Sequence, residues 1–298
     1  MFKSHKFEYN YSYPPEHDTY AKLIAYTDSV LLPIGFIKEE LGLSQDGGFM
    51  LYGYRNDNKN SGKPVFWLDS NIHGSEFQTP FYCLDFINLV WGDTHYDKRI
   101  TKLIRDNFNM YYIPSLNPWG YENMKYYNSR GVNLNRNYDS RWELYVGDNQ
   151  WEGNNYKGTA PESEAEIKHA VKKFLEVKPF VAINSHTSTG HSSGIDMNRR
   201  FKEYQMLSTD MFNSYHLTLP ESGTIPWNGQ YSPQAQGWYG MQTSKEGTPV
   251  ITSILEHQSD TMNFNSGLTF LFIIAISVIN YKENGILNTN DPYSLIKN

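Results

Sequence analysis

The chain has 298 residues and a single cysteine, Cys83. No intrachain disulfide can form, and cysteines can supply neither a structural framework nor a metal cluster. Cys83 lies in an apolar run and reads as a small buried hydrophobe. Basic runs are also missing, and the formal net charge is -6. Nucleic acid and anionic lipid are therefore not expected partners. The longest apolar run, LTFLFIIAISVI at residues 268–279, is shorter than the roughly 20 residues a bilayer span needs, so no membrane span is expected and the run reads as a buried C-terminal helix. The start, MFKSHKFEYNYSYPP, has no apolar core after its lysines and does not read as a Sec-type signal peptide. The expected location is cytoplasmic, or virion-associated if the chain is phage-encoded, a bacterial or phage style being suggested by its Asn- and Tyr-rich composition. No internal repeat and no long Pro, Gly or Ser stretch divides the chain, so residues 1–298 are expected to form one domain.

Apolar periodicity supplies the rest of the architecture. Helical spacing covers residues 20–32, 80–91, 97–107, 200–215 and 267–281. Short apolar runs at 49–54, 64–69, 110–115, 180–184 and 249–255 read as strands. Thr159-Ala-Pro-Glu162 has the form of a capping box and predicts a helix from there to about Val177. Strands that are apolar on both faces and alternate with helices indicate an α/β fold, with a parallel or mixed sheet between helical layers. In such sheets, functional groups gather at the carboxyl ends of the strands.

That rule selects among candidate side chains. Asn71-Ile-His73-Gly-Ser-Glu76 follows the strand at 64–69 directly, with Gly74 expected to ease a tight turn. An imidazole and a carboxylate three residues apart can share one zinc ion, but HxxE is a weak pattern: His5-Lys-Phe-Glu8 also matches, with no strand before it. A catalytic zinc commonly has three protein ligands and an open position. Phe180-Val-Ala-Ile-Asn-Ser-His186 ends a second apolar strand in a histidine and is preferred over His191, which lies in a Gly/Ser-rich stretch. A third strand ends at Glu256, which either faces the cleft as a general base or pairs with a buried cation. Within Gly131-Val-Asn-Leu-Asn-Arg136, the Arg136 fork beside Asn135 suits two-point capture of a carboxylate.

Taken in order, NIHGSE at 71–76, Asn117-Pro-Trp-Gly120, GVNLNRNYD at 131–139, GTAPESE at 158–164, SHTSTG at 185–190 and ILEH at 254–257 resemble the zinc metallocarboxypeptidase family, the carboxypeptidase A-like peptidases. The resemblance implies a mixed sheet of about eight strands between helices. It implies one Zn²⁺ on His73, Glu76 and His186, Glu256 as the base that activates water, and Asn135 with Arg136 on the substrate's terminal carboxylate. It further implies a mobile tyrosine before the base strand. Tyr231 lies in about that region, with Trp238 and Tyr239 somewhat later.

Two positions depart from the family's pattern. Tyr126 falls where the family's oxyanion arginine stands, with Lys125 and Arg130 nearby as substitutes; losing such a donor lowers rates by about 10²–10³. Asn133 falls where the family has an aspartate that orients a ligand histidine, and it can accept the same hydrogen bond without the charge. Three readings follow: a carboxypeptidase, a zinc amidohydrolase acting on acyl-amino acids or peptidoglycan stem peptides, and a weakly active structural or tail-associated subunit of the same fold. The stretch at 229–245 is expected to line the specificity pocket. It contains no acid, so weak preference for basic terminal residues is expected.

Overall fold

The computed structural model describes residues 17–56, 62–147, 155–187, 194–197, 234–235, 238–239, 251–256 and 264–283. The HxxE pattern at His5–Glu8, the helix expected over 200–215, His191 and Tyr231 lie outside the described residues.

The element order is α1 (Tyr20–Leu31), β1 (Ile37–Leu43), β2 (Met50–Arg55), β3 (Val65–Ser70), α2 (Thr79–Trp91), α3 (Lys98–Asn107), β4 (Asn109–Ile113), α4 (Pro118–Asn123), α5 (Ala165–Val177), β5 (Val181–Ser185), β6 (Gly194–Met197), β7 (Ile251–Glu256) and α6 (Phe264–Glu283). The described strands form one seven-stranded mixed sheet in the order β1-β2-β4-β3-β5-β7-β6. β4, β3, β5 and β7 run parallel at its centre, while β1, β2 and β6 join antiparallel at the margins. The resemblance implied about eight strands, and seven are described.

The centre is parallel because its strands are apolar on both sides. All five residues of β5 are buried, and β3 is buried except at Val65. Side chains alternate across β3. Phe66 and Leu68 enter a core built with Phe81 and Phe86 of α2 and with Leu271 of α6. Trp67 points the other way, into a core with Tyr111, Phe174, Trp238 and Tyr239. There, the Trp67 ring stacks on Tyr111 and meets Phe174 edge-on. Burying such rings contributes most of what holds the layers together, at about 25 cal/mol per Å² of apolar area.

The apolar run at 268–279 lies in α6 and is packed into the first core. Among the described residues, no helix is long and apolar enough to cross a membrane. Cys83 is buried on α2, and its thiol donates to Ser185 Oγ at 3.3 Å.

The capping-box expectation fails at α5. The helix starts at Ala165, and its N-cap residue, Glu164, makes no side-chain capping bond. Glu162 stands at φ 53°, in the left-handed region that interrupts a right-handed helix. Asn137 satisfies the segment instead. Its carbonyl accepts from Glu162 N, its Oδ1 accepts from Glu164 N, and its Nδ2 faces Lys157 O, Ala160 O and Ser163 Oγ. Periodicity also misses β1, whose IKEELGL sequence is only partly buried at the sheet edge.

The first turn of α5 buries Glu166 completely. Its carboxylate accepts from Gln45 N at 3.1 Å and from Asn128 Nδ2 at 3.4 Å, with Glu164 beside it on the same amide. Burial, with Glu164 adding repulsion, raises its pKa from 4.5 to about 7. Between those two values the folded chain holds a proton that the unfolded chain has lost. Stability from this group is therefore complete below pH 4.5 and is lost as pH rises through about 7. Glu166→Gln should remove that loss, so the variant gains on the wild type in thermal melts between pH 4.5 and 8. Parallel pH profiles for the two proteins would contradict the assignment.

Candidate metal centre

The central strands deliver the site. β3 and β5 pair in parallel register with Ser70 opposite Ser185, so His186 and the loop carrying His73 leave the sheet at the same edge. Asn71 takes a left-handed conformation (φ 53°) and turns the chain. Its side chain is held on both ends: Nδ2 donates to the carbonyls of His73 and Gly74, and Oδ1 accepts from Ser115 Oγ at 2.7 Å. Asn117 Nδ2 donates to Ile72 O, and Glu76 N donates to His73 O. Gly74 is needed for a different reason from the one expected. No positive φ is found there; instead, a Cβ on Gly74 would lie 2.1 Å from the carbonyl carbon of Gly120.

His73, Glu76 and His186 come together as a buried group able to hold a metal ion, with one ligand atom from each lying within 4.8 Å of the others. His73 Nδ1 is 2.7 Å from Glu76 Oε1, His186 Nδ1 is 3.1 Å from Glu76 Oε2, and the two Nδ1 atoms are 3.2 Å apart. Ligands bonded to zinc at 2.0–2.1 Å in a tetrahedron stand about 3.3 Å apart, close to this spacing. The chemistry also fits, because two imidazoles and one carboxylate are a donor set that binds zinc.

The far side of each ring is occupied. His73 Nε2 lies 3.2 Å from Asn133 Oδ1, and His186 Nε2 faces Asn184 Oδ1. An amide oxygen accepts, so each ring can donate Nε2–H to it when Nδ1 binds a metal. Burial lowers the His73 pKa to about 4, with the His186 and Arg136 charges adding to the shift, so the ring is neutral at pH 7. Burial opposes the Glu76 carboxylate, but the two imidazoles outweigh it and hold its pKa at about 2. Neutral imidazoles and an ionised carboxylate are the forms that bind zinc.

The other predicted residues are placed unevenly. Arg136 is half-buried and near enough to His73 to affect its charge. Its Nε donates to Tyr145 Oη at 3.1 Å and its Nη1 to Asn135 O at 2.9 Å. Asn135 is buried, with Oδ1 accepting from Ala235 N and Nδ2 standing 3.3 Å from His186 Nε2. Glu256 ends β7, beside β5; Leu255 pairs with Ser185, which puts Glu256 level with His186 along the sheet edge. Tyr126 stacks on the His73 ring, with centroids 3.7 Å apart and planes at 15°. Arg130 is directed to Glu164, 3.9 Å away, and Lys125 is exposed. Tyr239 and Trp238 are fixtures of the second core.

Sequence reasoning missed the supporting amides and hydroxyls: Asn71, Ser115, Asn117 and Asn184. A cluster of Asn and Ser just past apolar strands was the available signal.

A sheet with a parallel centre, carrying a buried His-Glu-His group at the strand ends, defines a metallohydrolase-like scaffold. The profile of the zinc carboxypeptidase family matches residues 43–193. The chain belongs to that family, whose members use one zinc ion. Human mast cell carboxypeptidase A is 26% identical over 237 residues, covering 70% of this chain and 56% of that protein. Bovine carboxypeptidase O is 29% identical over 152 residues, covering 46% of this chain and 40% of that protein. The chain thus spans about half the length of the curated relatives it matches. Among solved structures, bovine thrombin-activatable fibrinolysis inhibitor, in complex with tick carboxypeptidase inhibitor, superposes with a TM-score of 0.71 at 17% identity, covering 90% of this chain and 98% of that one. Carboxypeptidase A from Helicoverpa armigera gives 0.69 at 17% identity, covering 89% and 74%. At these identities the superpositions establish the fold.

The loop geometry predicts the effect of Gly74→Ala. The added methyl would meet the backbone of Gly120, which cannot swing away as a flexible side chain could. The variant should lose about 1–3 kcal/mol, read as a lower denaturant midpoint. An unchanged midpoint would contradict the close approach.

Proposed function

We propose that this chain is a zinc-dependent carboxypeptidase, one domain spanning residues 1–298, that hydrolyses the amide bond next to a free carboxylate. The observation that carries the reading is the convergence of His73, Glu76 and His186 at the ends of β3 and β5, with β7 ending in Glu256 on the adjacent strand. When bound, zinc polarises the scissile carbonyl and lowers the pKa of the attacking water. The chain's own residues do the rest. His73, Glu76 and His186 hold the ion. Glu256 takes the water's proton and returns it to the leaving amine. Arg136, with Asn135 beside it, binds the terminal carboxylate through its guanidinium fork. Tyr231 belongs to the substrate-binding segment in this reading.

A zinc amidohydrolase acting on peptidoglycan stem peptides would use the same ligands. Reduced activity is favoured by one specific observation: an aromatic ring stacked on His73 occupies the position where the family's pattern has a cation.

The test compares peptides with a free and an amidated C-terminus. The free form should be cleaved far faster, and Arg136→Ala should raise KM for it by about 10–100-fold. Glu256→Gln should lower kcat by about 10²–10⁴ while zinc stays bound. Equal cleavage of both peptide forms would remove the role of Arg136.

A further inference from the structure

Arg136 closes a short turn, Leu134–Arg136, which Leu134 anchors in the second core. Part of its guanidinium is committed within the chain. One Nη1 hydrogen goes to Asn135 O at 2.9 Å, and the Nε hydrogen goes to Tyr145 Oη at 3.1 Å. Among the described residues, Nη2 has no hydrogen-bond partner. A carboxylate can meet a guanidinium at its side, across Nε and Nη2, or at its end, across Nη1 and Nη2. The Tyr145 phenol closes the side. Nη2 and the second Nη1 hydrogen remain, and two-point capture of a carboxylate needs donors on two nitrogens.

Tyr145 is itself fixed. A hydroxyl has one hydrogen, and Tyr145 gives it to Asn155 Oδ1 at 3.0 Å, so a lone pair faces Arg136 Nε. The backbone around it is tied down by Lys157. Lys157 Nζ donates to Trp142 O at 2.8 Å and to Tyr145 O at 2.7 Å, and Trp142 Nε1 donates to Lys157 O at 3.2 Å. Apolar packing does not explain this loop. Leu144 is 75% exposed and Val146 97%, while Tyr145 between them is half-buried. Residues 144–146 thus leave two apolar side chains in solvent and turn the phenol inward onto Arg136.

We infer that Tyr145, held by Asn155, is a positioning residue that fixes Arg136 to take a carboxylate end-on, through Nη1 and Nη2. The inference rests on the reading of Arg136 as the carboxylate clamp. An arginine already ordered by folding loses less rotamer freedom when it binds a ligand. The loop therefore sharpens selection of a free carboxylate over the neutral amide of the same ligand.

The test titrates full-length protein with N-acetylphenylalanine and with its carboxamide, and reads the ratio of the two dissociation constants by NMR. Wild type should favour the acid, and Arg136→Ala should abolish that preference. Tyr145→Phe should lower it about 3–10-fold by weakening the acid alone, and Asn155→Ala should lower it by a smaller factor. Val146→Ser disturbs the same loop at an exposed side chain and should keep the wild-type ratio. Damage to the fold would weaken acid and amide together, so the ratio separates positioning from damage. A folded Tyr145→Phe protein with the wild-type ratio would overturn the inference and leave Arg136 as the clamp. If Tyr145→Phe does not fold, an unchanged ratio in Asn155→Ala overturns it. So does a Val146→Ser protein whose ratio falls as far as that of Tyr145→Phe. A wild type with no preference for the acid, or an Arg136→Ala protein that keeps it, would remove the clamp and the inference together. A Tyr145-dependent preference in a protein that cleaves no peptide would support the inference and count against the peptidase reading alone.

Discussion

The structure is organised around the meeting of two imidazole Nδ1 atoms and one carboxylate within hydrogen-bond distance of each other in a buried pocket. Three groups rich in lone pairs do not gather there without compensation, because desolvation disfavours charge and the lone pairs repel. The parallel register of β3 and β5 brings the two histidines to one sheet edge, and the turn at Asn71 brings Glu76 back to them. Amide oxygens stand behind both rings, where each can accept an Nε2–H once Nδ1 binds a cation. The arrangement makes sense as a cation site, and zinc is the cation the family uses.

Several distant parts of the chain serve that convergence. Ser115 and Asn117, just after β4, hold Asn71 and Ile72 in place, and Gly120 of α4 comes close enough to demand glycine at 74. The layer containing Trp67, Phe174 and Tyr239 is more than apolar packing, because it also seats the buried Asp69. Packing and electrostatics are therefore coupled at the same strand: one face of β3 supplies the Phe66 and Leu68 core, and the other supplies the charge.

The candidate ligands were legible in the sequence because each lies just after an apolar strand, where the ends of parallel strands collect function. The central strands and most helices were legible for a related reason: their burial leaves a periodic trace. The network behind the ligands was not. Asp69 and Asn184 are 115 residues apart, and Asn71 and Ser115 are 44 apart, so no local pattern announces either pair. The start of α5 was misread because Asn137 outcompetes a local capping box that looks correct on its own. Strand β1 was missed because an edge strand is only half-buried and its charges hide the period. Glu256 was legible as a strand-end acid, but its assignment as the base rests on the family resemblance.

The most direct test of the account is the zinc content of the full-length protein after purification without added metal. One zinc per chain is expected, lost in both His73→Ala and His186→Ala while circular dichroism shows the fold retained. Native protein that holds no zinc and takes none up when it is supplied, or a His73→Ala protein that keeps its zinc, would contradict the central claim.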